Sequence, residues 1–151
     1  MFEISDFYHY CKDHQVDVIP YDGCPKPGAT IRDAGFYAVF LDFTKIKSTR
    51  LLRGVCYHEL GHVATGALHK VDSPFELWER SEYRANRWAA QHYLTAEAFQ
   101  EAFDAGCREL WQLAEYFDMP EETTNGSAEI YIRKKNVLTL TVDGEEKTYT
   151  H

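Results

Sequence analysis

Residues 58–62 read HELGH, an HExxH motif inside a segment with helical periodicity. In an α-helix, residues i and i+4 lie on the same face, so the imidazoles of His58 and His62 can reach one metal ion. The carboxylate of Glu59 stands beside them, where it can take a proton from a metal-bound water. The pattern therefore predicts a metal site in which Glu59 is the general base.

A catalytic zinc usually has three protein ligands, and two residues compete for the third position. One is His69, because HELGHVATGALH at residues 58–69 nearly matches the pattern HExxHxxGxxH. In that pattern a glycine breaks the helix so that the third histidine turns back to the metal. Here both Gly66 and His69 fall one residue late, which makes His69 the weaker candidate.

The other candidate for the third ligand is Glu82, which follows His62 by 20 residues and begins the stretch EYRANRWAA. Glu82 and Asn86 share a helical face because they are four residues apart. The alanines at 85, 89 and 90 make this helix slim, so that it can approach the metal-binding helix closely. We predict Glu82 as the third ligand and Asn86 as a hydrogen-bond acceptor for a ligand imidazole.

These motifs together resemble the signature of the ImmA/IrrE-type metallopeptidases: HELGH, then Thr65-Gly66, then EYRANRWA at residues 82–89. The segment WQLAEYFDMPEE at residues 111–122 is similar to a later part of the same family, so that the likeness covers roughly residues 1–135. The resemblance implies a compact, gluzincin-like fold and a bound zinc. It also implies cleavage of a helix-turn-helix repressor, in bacterial prophages, integrative elements or stress-response loci.

The sequence departs from this family at three places. Asn86 often stands as Asp in relatives. Asn125-Gly126 interrupts a segment that relatives usually fold as a cleaner helix. The tail after Asn136 has no counterpart that we recognise.

The segments around the motifs predict an α+β fold, with a small antiparallel sheet packed on the HExxH helix and the Glu82 helix. Helices are expected at 2–14, 48–68, 74–94, 95–106 and 108–119, with Ser73-Pro74 starting the third, and strands at 16–21, 29–31 and 36–43. From Val137 the sequence alternates around Asp143-Gly144, which is typical of a hairpin turn. We therefore expect one minimal zincin-like domain over 1–136 and a β-hairpin-like tail over 137–151.

Composition limits the possible partners. The formal net charge of −8 disfavours nucleic acid or an anionic membrane, because both would repel the chain. The N-terminus has no apolar signal segment, no run of 18 apolar residues occurs, and the four cysteines form no CxxC pair. These features predict a cytoplasmic protein whose partner is another protein.

The function predicted from this reading is a zinc-dependent endopeptidase that cleaves a helix-turn-helix repressor. Manganese or iron would also suit two histidines and a glutamate. An alternative is a metal-binding regulator that sequesters a repressor without cutting it. A DNA-binding module at residues 113–131 is disfavoured, because no basic residue precedes Arg133 in its second helix.

Two further features of the site stay open in the sequence. Four residues near the motifs could stabilise the oxyanion: Tyr57, His69, Tyr83 and His92. The substrate would be held in extended form by an edge strand, for which residues 36–43 are the candidate.

Overall fold

The computed structural model describes residues 1–68, 74–135, 137–142 and 145–150, with side chains through residue 131. The elements follow the chain as α1 (Ile4–Asp13), β1 (Asp17–Pro20), β2 (Gly28–Asp33), β3 (Phe36–Leu41), α2 (Thr49–Thr65), α3 (Phe75–Tyr93), α4 (Ala96–Asp104), α5 (Leu110–Phe117), α6 (Glu121–Lys135), β4 (Val137–Val142) and β5 (Glu145–Thr150). This is the predicted α+β architecture of a minimal zincin-like fold.

The small sheet is mixed, and the prediction of a wholly antiparallel sheet was wrong for one strand pair. β2 and β3 form an antiparallel hairpin, but β1 pairs with β3 in parallel, and the strand order is β1-β3-β2. The hairpin turns at Ala34 and Gly35, which both have positive φ (51° and 82°), as a two-residue turn requires. The connection from β1 to β2 skips one strand position, and β3 then fills it.

α2 is the central helix and carries the HELGH motif. Its N-cap is Ser48, whose hydroxyl oxygen accepts a hydrogen bond from the Leu51 amide at 3.0 Å. The helix ends at Thr65 because Gly66 adopts the left-handed conformation, with φ 65°. The predicted end at residue 68 was therefore three residues too late.

α3 crosses α2 with almost no space between the two backbones. A Cβ atom added to Gly61 would lie 2.8 Å from the carbonyl carbon of Ala85, and it would overlap the carbonyl oxygen as well. Ala85, Ala89 and Ala90 are buried, which agrees with the predicted slim face of this helix. α3 starts one residue later than expected, since Pro74 is its N-cap rather than its first residue, and Ser73 lies outside the described residues.

α6 runs without a break through Asn125-Gly126, although those residues are poor helix formers. Tertiary contacts hold it at both ends. Thr124 is fully buried near its start, and the Tyr131 hydroxyl shares its one hydrogen between the carbonyl oxygens of Ala90 (2.8 Å) and Leu94 (2.7 Å). The tertiary structure thus overrides the weak local propensity.

The C-terminal strands β4 and β5 pair antiparallel, with Val137 opposite Thr150. β4 lies against α4 and α6. The predicted turn at Asp143-Gly144 lies outside the described residues. The division of the chain into a domain over 1–136 and a separate tail stays a prediction.

A buried arginine joins segments of the fold that are far apart in sequence. The guanidinium of Arg53, on α2, donates to the Phe2 carbonyl, to Glu3 Oε2 at 2.9 Å and to the Asp118 carbonyl at 2.9 Å. Its side chain is 6% exposed, so these acceptors replace the water that the charge has lost. α2 is therefore anchored both to the N-terminal segment and to the loop between α5 and α6.

None of the helices in the ranges given above is long and apolar enough to cross a bilayer.

Candidate metal centre

The side chains of His58, His62 and Glu82 meet at one point between α2 and α3. His58 Nε2 lies 3.2 Å from Glu82 Oε2, and His62 Nε2 lies 3.2 Å from Glu82 Oε1. The two Nε2 atoms are also 3.2 Å apart. Tetrahedral ligands at about 2.0–2.1 Å from a zinc ion stand about 3.4 Å from one another. The three side chains could therefore hold a metal ion.

The helix crossing explains why a carboxylate from α3 reaches the two histidines. His58 and His62 project from α2 at i and i+4, with Gly61 next to His62 at the point of closest approach. Glu82 lies three residues, about one turn, before Ala85, the residue that touches Gly61. The missing Cβ at Gly61 thus sets the distance between the histidine pair and the glutamate.

A backbone carbonyl orients the ring of His62. Its Nδ1 lies 2.5 Å from the Ala67 carbonyl oxygen, which also accepts a hydrogen bond from the Ser81 hydroxyl at 2.6 Å. Nδ1 must therefore carry a proton, so Nε2 is the nitrogen that would bind a metal when the ring is neutral. Burial lowers the pKa of His62, but its hydrogen bonds to Glu82 and Ala67 outweigh burial, so the pKa lies above its usual value.

Sequence reasoning missed Ala67 and Ser81, because a carbonyl that orients a histidine has no residue signature. The Thr65-Gly66 pair was the available signal. Gly66 ends α2 in the left-handed conformation, and the Ala67 amide then donates to the Thr65 hydroxyl at 3.1 Å. This turn brings the Ala67 carbonyl back to the histidine.

Glu59 is buried, with 5% of its surface exposed, and is held from the sheet side. Thr30, on β2, donates its hydroxyl hydrogen to Glu59 Oε2 at 2.6 Å. Gly28 on the same strand also packs on α2, since a Cβ there would meet Val55 Cγ1 at 2.6 Å and Glu59 Cγ at 3.1 Å. β2 therefore fixes the carboxylate, a role that the sequence did not indicate.

A cavity of about 530 Å³ opens beside these residues, and we call it the site cavity. His58, Glu59 and Glu82 line it together with parts of β2 and α6, so a ligand in the cavity would contact both the cluster and the proposed base. Asn86 also lines the site cavity, whereas the partner of His62 Nδ1 is the Ala67 carbonyl. A hydrogen bond from a ligand imidazole to Asn86 stays a prediction.

The other candidate residues have separate positions. His69 lies outside the described residues, and α2 ends before it. The Tyr57 hydroxyl is buried 2.8 Å from Ser127 Oγ. The His92 ring stacks on Trp88 with ring centroids 4.0 Å apart, and Tyr83 lines a smaller cavity. These contacts leave the choice of an oxyanion-stabilising residue open.

The candidate strand for substrate was wrong. β3 is the central strand of the sheet and pairs on both sides, so neither of its edges can add an extended peptide. β2 is an edge strand, and it is also the strand that holds Glu59.

The α+β fold and the His-His-Glu cluster define a small zincin-like protein with a possible metal site. A comparison with protein families agrees with this class. The model of a peptidase family described as the IrrE N-terminal-like domain matches residues 33–126, which is more than half of the chain and includes every residue of the cluster. The chain therefore belongs to this peptidase family, as its motifs predicted. No curated protein and no solved structure matches the chain.

Proposed function

We propose that the protein is a zinc-dependent endopeptidase, with His58, His62 and Glu82 as metal ligands and Glu59 as the general base. One observation carries the proposal: the three side chains converge, with three contacts of 3.2 Å among their nitrogen and oxygen atoms, beside a cavity that a buried glutamate also lines. Membership of a peptidase family supports the same reaction class. Zinc is the metal that best suits two imidazoles and one carboxylate in a tetrahedral arrangement.

The chain's own residues would move the proton of the reaction. A divalent cation in the centre would act as a Lewis acid on the scissile carbonyl and on the attacking water. Glu59 takes a proton from that water as its oxygen bonds to the carbonyl carbon. The same carboxyl group then gives the proton to the leaving nitrogen as the C–N bond breaks. Thr30 keeps the carboxylate in place through its hydrogen bond to Oε2.

The substrate is proposed to bind as an extended segment along the outer edge of β2. An edge strand offers backbone donors and acceptors to a peptide, and this strand also contacts Glu59. A peptide that pairs with β2 is therefore brought close to the proposed base. In this way the strand would select an unfolded or extended segment, rather than a helix.

A helix-turn-helix repressor is the proposed substrate, as the family resemblance implies. The net charge of −8 supports a basic partner, because opposite charges speed association and a DNA-binding protein carries excess positive charge. Such a substrate places the reaction in the cytoplasm of a bacterium, in a prophage, integrative element or stress-response locus.

The test compares wild type, Glu59→Gln and Glu82→Ala. After zinc loading and dialysis, wild type and Glu59→Gln should hold about one zinc per chain, and Glu82→Ala should lose most of it. Incubated with a bacterial lysate, wild type should create new N-termini in helix-turn-helix proteins, as read by mass spectrometry. Glu59→Gln should create none, because the attacking water keeps its proton.

Two results would contradict the endopeptidase. Cleavage by Glu59→Gln at the wild-type rate would show that Glu59 is not the general base. A repressor that stays full-length while bound equally by wild type and Glu59→Gln would favour the metal-binding regulator instead.

A further inference from the structure

The lining of the site cavity has a gap at Gly126, in the middle of α6, because this residue has no side chain. Gly126 lies within α6, and a Cβ added to it would meet no atom within 4 Å other than its own helix backbone. A second cavity of about 170 Å³, which we call the side cavity, lies between α3 and α6. Gly126 lines both cavities, together with Trp78, Glu82 and Asn86 of α3. The two spaces therefore meet where the glycine has no side chain.

The rest of this face of α6 is filled and fixed. One turn earlier, Thr123 packs over Gly54, where a Cβ would lie 3.2 Å from its Oγ1 atom. The next residue, Ser127, contacts the Tyr57 hydroxyl at 2.8 Å, and Ile130 is buried. Positions i, i+3, i+4 and i+7 of a helix share a face, so Gly126 is the gap in an otherwise occupied row. The opening is preformed, because its neighbours hold α6 in place.

The site cavity, rather than the side cavity, offers an apolar wall. Leu51 and Val55 of α2 line it together with Trp78, whereas the side cavity has Trp78 and Ile130 beside the acidic residues Glu79, Glu82 and Glu129. Glu82 lines both cavities and contributes its carboxylate to the metal cluster. A group that fills the gap would therefore lie directly beside the cluster. Burial of a leucine-sized side chain in such a space is favourable by the apolar area that it removes from water.

We infer that Gly126 sets the size of the subsite for the substrate side chain next to the scissile bond, and that this subsite takes a large apolar side chain. The inference rests on the proposed function, because it needs a substrate held at the His58–His62–Glu82 centre. A side chain on α6 at this position would project into the space that the substrate needs. Gly126 thus lowers the stability of α6 relative to a residue with a side chain, but it leaves space for the substrate side chain.

The test uses two succinyl hydroxamates that differ only in the side chain beside the chelating group, methyl in one and isobutyl in the other. Binding to the zinc-loaded protein is measured by calorimetry. Wild type should bind the isobutyl probe tighter by a factor on the order of ten. Gly126→Leu should bring that ratio to about one and leave the methyl probe unchanged. Gly126→Ala should give an intermediate ratio.

Asn125→Leu is the matched control, because it adds the same side chain one residue earlier, at an exposed position outside both cavities. It should keep the wild-type ratio. A wild-type ratio in Gly126→Leu would overturn the inference. A wild type with bound zinc that binds the two probes equally would also overturn it. Binding of a third probe, with an aminobutyl side chain, more tightly than the isobutyl probe would contradict an apolar subsite.

A failure of the metal proposal is distinguishable from a failure of the subsite. If zinc-loaded wild type binds neither hydroxamate, the metal proposal fails. The subsite is then tested by the binding of a small alcohol to the metal-free protein. 3-Methylbutan-1-ol should shift the indole NMR signal of Trp78 in wild type and in Asn125→Leu, but not in Gly126→Leu. An equal shift in Gly126→Leu, or none in wild type, would overturn the subsite.

Discussion

Two glycines near the His58–His62–Glu82 cluster have opposite surroundings. Gly61 lies where α2 and α3 cross, and a Cβ there would overlap the backbone of Ala85. Gly126 lies in α6 across the cavity, and a Cβ there would touch nothing. The first glycine removes space between two helices so that ligands from both can meet. The second keeps space open beside those ligands.

This difference separates the part of the site that must be rigid from the part that can vary. The α2–α3 wall sets three distances of 3.2 Å among the proposed ligand atoms, and a shift of either helix would change two of them. The α6 wall sets only the volume available to a substrate. Changes at the two glycines should therefore have opposite signs in stability and different effects on function.

Gly61→Ala should have the largest effect. The added methyl group meets backbone, which cannot rotate away, so α2 and α3 must separate. We expect the free energy of unfolding to fall by about 2 to 3 kcal/mol, with a melting temperature lower by roughly 4 to 12 °C. Zinc retention after dialysis should fall too. Thermal unfolding and elemental analysis measure both, and a variant that keeps wild-type values would show that the crossing is not tight.

Thr30→Val should have an intermediate effect and tests the third wall, β2. It replaces the hydroxyl that holds Glu59 with a methyl group of similar size. We expect kcat to fall roughly tenfold, since a hydrogen bond to a charged group is lost, while zinc content stays at the wild-type level. Thr30→Ser keeps the hydroxyl and should recover most of the rate. Equal rates for valine and serine would exclude a role for the hydrogen bond.

Gly126→Ala should have the smallest effect, and it should be stabilising. Alanine is favoured over glycine inside a helix by up to about 1 kcal/mol, and the open space accepts the methyl group without a clash. The melting temperature should rise by roughly 2 to 4 °C. Set beside Gly61→Ala, this is the same chemical change with the opposite sign. A destabilised variant would show that the space at Gly126 is filled in solution.

Much of the metal cluster follows from sequence because helical periodicity determines it. The four-residue spacing of His58 and His62 places them on one face, and the alanines after Glu82 indicate a close partner helix. The structure brings all three side chains together, while their role as ligands stays a prediction. Ala67 and Thr30 could not be found in this way. Their contacts depend on how a turn and a strand meet α2, and no local spacing encodes that.

The sheet and α6 show where local reasoning fails in general. The parallel pairing of β1 with β3 depends on the order in which strands occupy the sheet, whereas alternation of side chains along a strand gives only its two faces. The sequence Asn125-Gly126 argues against a helix centre, yet contacts of Thr124, Ser127 and Tyr131 with the rest of the fold keep α6 continuous. In both cases, distant residues decide the outcome.

The buried guanidinium of Arg53 also links the helix of the proposed metal centre to a part of the chain that is synthesised later. The proposed ligands are all present once residue 82 has left the ribosome, but Asp118, whose carbonyl receives one of the arginine's hydrogen bonds, leaves it 36 residues later (118 − 82). At about 5 to 20 residues per second, that interval lasts roughly 2 to 7 seconds. Until then the guanidinium of Arg53 lacks one of the acceptors that it has in the folded chain. A nascent chain therefore spends this time with its metal-binding motifs made and its cleft not yet assembled.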